Sequence, residues 1–169
     1  MPDTLVTPRR QVLLGVALGG VAAATVPLWG QADPANAASV EALKALLDAY
    51  MKAFSAHDTP AVIKLFAPNA IMVGTGPGEI WGGPEEIAAA HKNFFGLFEP
   101  GKQKHQSLFR DGHVMGDMAW LVAMSQVSFT KGTQVTEFGL NVSVVFEKTG
   151  GTWLIRALHL SNAATAPAK

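Results

Sequence analysis

Apolar positions in the first half of the chain recur at every third or fourth residue, and in the second half at every other residue. The first spacing is that of amphipathic helices, the second that of strands with two unlike faces. Leu43, Leu47, Tyr50 and Phe54 form one stripe, which predicts a helix over Val40 to about Ala56 capped by Ser39. His57-Asp58-Thr59-Pro60 ends it and opens a short second helix. Pro60 takes the favoured first position, Val62, Ile63, Leu65 and Phe66 form the apolar side, and Pro68 is the stop. Ala70 to Val73 reads as a short strand, Gly74 to Gly78 as a loop, and Glu79-Ile80-Trp81 as the strand resumed. Gly83-Pro84-Glu85-Glu86 opens a third helix, with two acids at the positive end of its dipole and Ile87, His91, Phe94 and Phe98 along one side.

From Lys104 onward the period is two. Strands are expected over His105 to Met115, Met118 to Thr130, Gln134 to Lys148 and Trp153 to Asn162, joined by Gly116-Asp117, Lys131-Gly132 and Gly150-Gly151. Such short turns make sequential strands pair antiparallel, as a meander. Helices followed by a run of strands define an α+β fold, about three helices packed on one face of a curved antiparallel sheet. Residues 163–169 read as a loose tail.

The strand over Gln134 to Lys148 has one aliphatic face, Phe138, Leu140, Val142, Val144 and Phe146, and one mixed face that includes Asn141 and Ser143. Burying each aliphatic side chain is worth roughly 1.5–3 kcal/mol, so that row needs a cover. Our reading turns the mixed face toward the helices as a cavity wall and covers the aliphatic row, extended by Leu154, Leu158 and Leu160, with a second copy of the chain. The inverted arrangement packs the row on the helices. In the last strand, plain alternation groups Trp153, Ile155, Ala157, His159 and Ser161, a face that begins apolar and ends polar like a pocket floor.

The N-terminus changes the expected compartment. Pro8-Arg9-Arg10-Gln11 leads an apolar run through about Trp29, and Ala35-Asn36-Ala37 follows. This is the layout of a bacterial export signal of twin-arginine type, cleaved after Ala37. The alternative is a retained anchor helix. The expectation is a signal over 1–37 and one domain over 38–162, periplasmic or secreted, with no membrane contact after cleavage.

Thirteen basic and thirteen acidic residues balance, with no basic stripe, so nucleic acid is not an expected partner. There is no cysteine, hence no disulfide, thiolate nucleophile or cysteine metal site. The five histidines show no metal-ligand spacing, Gly74-x-Gly76-x-Gly78 lacks the spacing of a nucleotide loop, and no Gly-x-Ser-x-Gly elbow occurs. Neither a metal nor a cofactor is expected.

Several residues carry candidate chemistry. Tyr50, the single tyrosine, is either a hydrogen-bond donor in the pocket or a core residue with its hydroxyl at the rim. His159 is a general acid or base, a ligand donor, or a structural histidine. Asn141, Ser143 and Ser161 are pocket polar groups or sheet residues with local partners, and His91 faces the same cavity from the third helix. Trp81, Trp120 and Trp153 are core or pocket wall.

Three stretches resemble the nuclear transport factor 2-like superfamily, which includes ketosteroid isomerase and the SnoaL-like polyketide cyclases. Asp58-Thr-Pro-Ala-Val-Ile-Lys-Leu-Phe-Ala-Pro-Asn-Ala70 is similar to its segment from first to second helix. Gly74-Thr-Gly-Pro-Gly-Glu-Ile-Trp-Gly-Gly-Pro-Glu-Glu-Ile87 is similar to its first strand and third-helix start. Phe146 to Ser161 is similar to its closing hairpin, including His159-x-Ser161. The resemblance implies a conical fold around a pocket but not one function, since the fold hosts many. In the isomerase, a tyrosine and a protonated aspartic acid form an oxyanion hole while a second aspartate moves the proton. Tyr50 stands at the tyrosine's place and Asn141 or Ser143 near the strand acid's. The base position falls near Gly74, where the nearest acid is Glu79. The arginine that SnoaL-like relatives often carry on the Asn141 strand is missing, which argues against a strongly anionic ligand. The expected function is an exported protein that binds a small apolar or aromatic ligand without assigned catalysis. The alternative is an acid–base enzyme of isomerase, hydratase or cyclase type using Tyr50 and His159.

Overall fold

The computed structural model describes residues 36–163; the expected export signal, apart from its last two residues, and the tail beyond 163 lie outside them. The elements are α1 (Ala37–Ser55), α2 (Thr59–Ile63), β1 (Phe66–Val73), β2 (Ile80–Gly82), α3 (Gly83–Phe95), β3 (Gln103–Met115), β4 (Met118–Lys131), β5 (Gln134–Thr149) and β6 (Thr152–Asn162). Helix α1 starts earlier than its stripe predicts: Asn36 is the N-cap residue, without a side-chain cap bond, and Ser39 lies inside the first turn. Asp58 caps α2, its Oδ1 accepting from the Ala61 N–H at 3.0 Å. The Glu86 carboxylate accepts from the Gly82 N–H at 2.7 Å at the start of α3, as two acids at a helix N-terminus lead one to expect. Pro68 does not stop the chain before β1 but sits within it. It falls in the gap between the paired positions Phe66 and Ile71, where a missing N–H costs no ladder bond.

One six-stranded sheet has the order β2-β1-β6-β5-β4-β3. The β3–β6 meander is antiparallel as expected, but β1 pairs parallel with β6, so the sheet is mixed. The curved sheet with helices on one face is the α+β cone.

The aliphatic row of β5 faces the helices. Phe146 is fully buried and Val144 nearly so, in one core with Leu43 of α1, Met72 of β1, Ile87 of α3 and Ile155 of β6. Phe138, Leu140 and Val142 continue along the same face onto the cavity wall, together with Leu158 and Leu160. This inverts our expectation for the row, and with it the reason for covering that row with a second copy. The physical ground is simple: the helices bring Leu43, Val62 and Ile87, and the most apolar face of the sheet buries against them.

Two β-bulges then decide which side chains point inward. On β6 the register passes from Phe146↔Ile155 to Val145↔Ala157, so Arg156 is the extra residue. The Arg156 guanidinium holds this irregularity by donating to the Asn69 carbonyl and pairing with Glu147 at 3.4 Å. On β3 the register passes from Ser107↔Ser125 to Phe109↔Met124, so Leu108 is extra. Beyond each bulge the alternation of faces is reversed.

Candidate functional site

Between α1 and the inner face of the sheet lies a cavity of about 540 Å³. Its walls are mostly apolar: Leu47 and Phe54 from α1, Phe94 from α3, and Val127, Leu140 and Val142 from β4 and β5. Tyr50 lines it. The Tyr50 hydroxyl lies 3.0 Å from His91 Nε2, and His91 Nδ1 lies 2.7 Å from the Ile87 carbonyl. A carbonyl only accepts, so Nδ1 carries the ring proton and Nε2 accepts from Tyr50. The tyrosine's hydrogen is therefore committed to His91, and its oxygen lone pairs remain for a ligand. Burial raises the pKa of Tyr50 well above its ordinary value. Burial also lowers that of His91, partly opposed by the Ile87 hydrogen bond. Both shifts keep the pair neutral.

His91 is fully buried among the edges of Tyr50, Phe54, Phe66, Phe94 and Phe95. It stands behind the cavity wall rather than in it, and reaches the cavity through Tyr50. Trp81 also stands behind the wall, edge-on to Phe94 at 5.8 Å.

The remaining expected site residues do not join Tyr50. Plain alternation from Trp153 and Ile155 carries Ala157, His159 and Ser161 inward, but the bulge at Arg156 turns Leu158, Leu160 and Asn162 inward instead. His159 is exposed on the outer face opposite Ser143, which is also exposed. Asn141 Nδ2 lies 3.5 Å from Ser161 Oγ on that same outer face. Trp120, whose strand neighbours Ala119 and Leu121 are buried in the core, is outside as well, opposite Val145. Tyr50 and His159 thus lie on opposite sides of the sheet, and the expected shared cavity of Tyr50, Asn141 and His159 does not form. Glu79, the acid nearest the isomerase base position, accepts from the Gly76 N–H at 2.8 Å within its own loop.

Polar groups that the sequence reading did not single out do line the cavity: Gln103, His105, Ser107 and Arg110 from β3, and Ser125 from β4. Unbroken alternation after Ser107 selects Phe109 as the next inward residue; the bulge at Leu108 makes it Arg110. Ser125 was legible in principle, as a lone hydroxyl on the inward face of β4 between Ala123 and Val127. Asp48, exposed on α1, is the carboxylate among the lining residues. Among the described residues, no three of His, Asp and Glu are grouped to hold a metal ion.

A family model for the SnoaL-like domain matches residues 43–165. Solved structures agree on the fold. An NTF2-like protein of unknown function from Pseudomonas putida is 17% identical with a TM-score of 0.64, covering 77% of this chain and 90% of that one. A ketosteroid isomerase-like protein from Erwinia carotovora is 20% identical with a TM-score of 0.60, covering 75% and 98%. An NTF2-like protein with a cystatin-like fold from Novosphingobium aromaticivorans is 17% identical with a TM-score of 0.62, covering 82% and 95%. No curated protein matches the chain.

Proposed function

The chain belongs to the SnoaL-like family, and on that footing we propose that it is an exported binding protein whose cavity takes a small, largely apolar or aromatic molecule. The observation that carries this is the cavity of about 540 Å³, walled by aliphatic and aromatic side chains, with Tyr50 presenting an oxygen. Pockets of this size with few polar groups suit drug-sized ligands. Acid–base catalysis has weaker support. Proton transfer through Tyr50 and His91 would need a tyrosinate or an imidazolium, and burial disfavours both. His159 has left the cavity, and the ketosteroid isomerase-like neighbour supports the fold alone.

The test uses Nile red, a neutral apolar dye, and the variant Val142→Trp, which places an indole in the cavity. Dye fluorescence is expected to rise with the wild-type protein and to stay at background with the variant, at an unchanged far-ultraviolet spectrum. No binding by the wild type, or equal binding by both, would overturn the reading.

The self-association expected from the sequence also survives as a proposal, on different residues. Phe109, Val122 and Met124 on the outer face are 50%, 36% and 39% exposed, with Phe109 and Met124 directly paired across strands. A two-fold axis lets such a patch cover itself. Sedimentation is expected to give a dimer that Met124→Glu dissociates without unfolding. A wild-type monomer at tens of micromolar would rule it out.

A further inference from the structure

The cavity lining holds three buried polar atoms without partners, the acceptor Gln103 Oε1 and two that can donate, Arg110 Nε and Ser125 Oγ. Ser125 is fully buried, and its Oγ makes no hydrogen bond. Arg110 is half-buried, and its Nε is shielded from solvent and unbonded. The ion pairs found among the described residues are Lys44–Glu41 and Arg156–Glu147, so the Arg110 guanidinium has no carboxylate against it. The two groups are close neighbours. Arg110 is paired with Ala123, and Ser125 is the next inward residue of β4, so their Cβ atoms stand on adjacent rows about 7 Å apart. A long arginine side chain spans that distance.

A buried donor left without an acceptor costs free energy, whether it is the Ser125 hydroxyl or the shielded Nε of the half-buried Arg110. One anionic oxygen pair placed between Arg110 and Ser125 would satisfy both. We propose that the cavity binds an amphipathic monocarboxylic acid, its carboxylate on Arg110 and Ser125 and its apolar body along Leu140, Val142 and Phe54. This rests on the reading of the cavity as a small-molecule site and names the class of molecule. It also revises the expectation drawn from the missing arginine on the Asn141 strand: an arginine does reach the cavity, from the edge strand β3 and through a bulge.

The charge balance selects a monoanion. Arg110 is the one guanidinium at the wall, and the other cation lining the cavity, Lys44, is bonded to Glu41 at 2.6 Å. The neighbouring His105 is held below its ordinary pKa by partial burial and by Arg110 itself, so at neutral pH it offers a neutral ring. Asp48 on α1 opposes a second negative charge. A carboxylate matches the guanidinium fork, whereas a phosphate dianion would leave one charge uncompensated.

The experiment compares 2-naphthylacetate with its neutral amide, 2-naphthylacetamide, by titration calorimetry on the full chain at pH 7.5. The wild type is expected to prefer the acid by about tenfold or more, the scale of one charge-assisted hydrogen bond. Arg110→Gln is expected to weaken the acid far more than the amide, so that the preference for the acid is lost. Ser125→Ala is expected to weaken the acid several-fold and serves as the second variant if Arg110→Gln does not fold. If the wild type binds the amide as well as the acid, the carboxylate assignment fails and the apolar cavity stands. If it binds neither, the cavity reading fails with it.

Discussion

Phe146→Ala is expected to remove about 3–5 kcal/mol of stability, the range for truncating a fully buried aromatic side chain. Phe146 is wholly shielded from solvent, at the point where the sheet meets Leu43 and Ile87 of the helices. Its ring cannot be replaced by neighbours without moving the sheet, since packed interiors collapse only in part. Ser143→Ala, three residues earlier on the opposite face and exposed, is expected to change stability by less than about 0.5 kcal/mol. Urea denaturation of the two variants against wild type measures the contrast. Comparable losses, or a small loss at Phe146, would mean that the aliphatic face is not the core.

Acid is expected to destabilise the fold through His91. Its folded-state pKa lies below the ordinary value because burial disfavours the imidazolium. In the unfolded chain it titrates near 6.5. Below about pH 6.5 the unfolded chain therefore takes up a proton that the folded chain refuses. The stability tied to neutral His91 is complete above that pH and is lost as the pH falls toward the folded-state pKa. The loss reaches at most about 1.4 kcal/mol per pH unit for this one group. His91→Phe removes the titration, so the stability profile between pH 7.5 and 5.5 should flatten. The same variant leaves the Tyr50 hydroxyl without its acceptor, at a cost of about 1–3 kcal/mol at pH 7.5. His91→Gln, which can still accept from Tyr50, should flatten the profile at a smaller cost. A His91→Phe protein with the wild-type slope would show that the acid sensitivity resides elsewhere.

The fold was legible because its signals are long. The stripe through Leu43, Leu47, Tyr50 and Phe54 spans three turns, and four strands of more than ten residues are separated by short glycine turns. Errors arose where one residue breaks a period. Nothing in Trp153 to Ser161 marks Arg156 as extra; its role depends on the Asn69 carbonyl, remote in sequence, and on Glu147 across the β5–β6 hairpin. With the bulge unread, His159 stays on the side of Trp153. The choice of face on β5 failed for a different reason. Asn141 and Ser143 have the chemistry of a pocket wall, but the demand that the most apolar row be buried against the most apolar helices outweighs it. Tyr50 was found because it lies inside a helical stripe, where periodicity holds. Arg110 was missed because it lies two residues past a bulge.

The place of β6 in the sheet has a consequence for how the molecule comes together. It is the last of the described strands in chain order, yet it lies between β1 and β5 and joins the N-terminal pair of strands to the meander. Its parallel pairing with β1 closes a loop from Phe66 to Ile155. Contacts so distant along the chain are formed slowly, because the intervening segment must first give up its freedom. Until Thr152 to Asn162 has emerged, β1 has no neighbour on that side, and the core under α1 and α3 lacks Ile155. A stop codon or proteolytic nick in those last strand residues therefore damages the helical half as surely as the sheet. The helical half and β6 are acquired as a unit, and helices made early must wait for a strand made late.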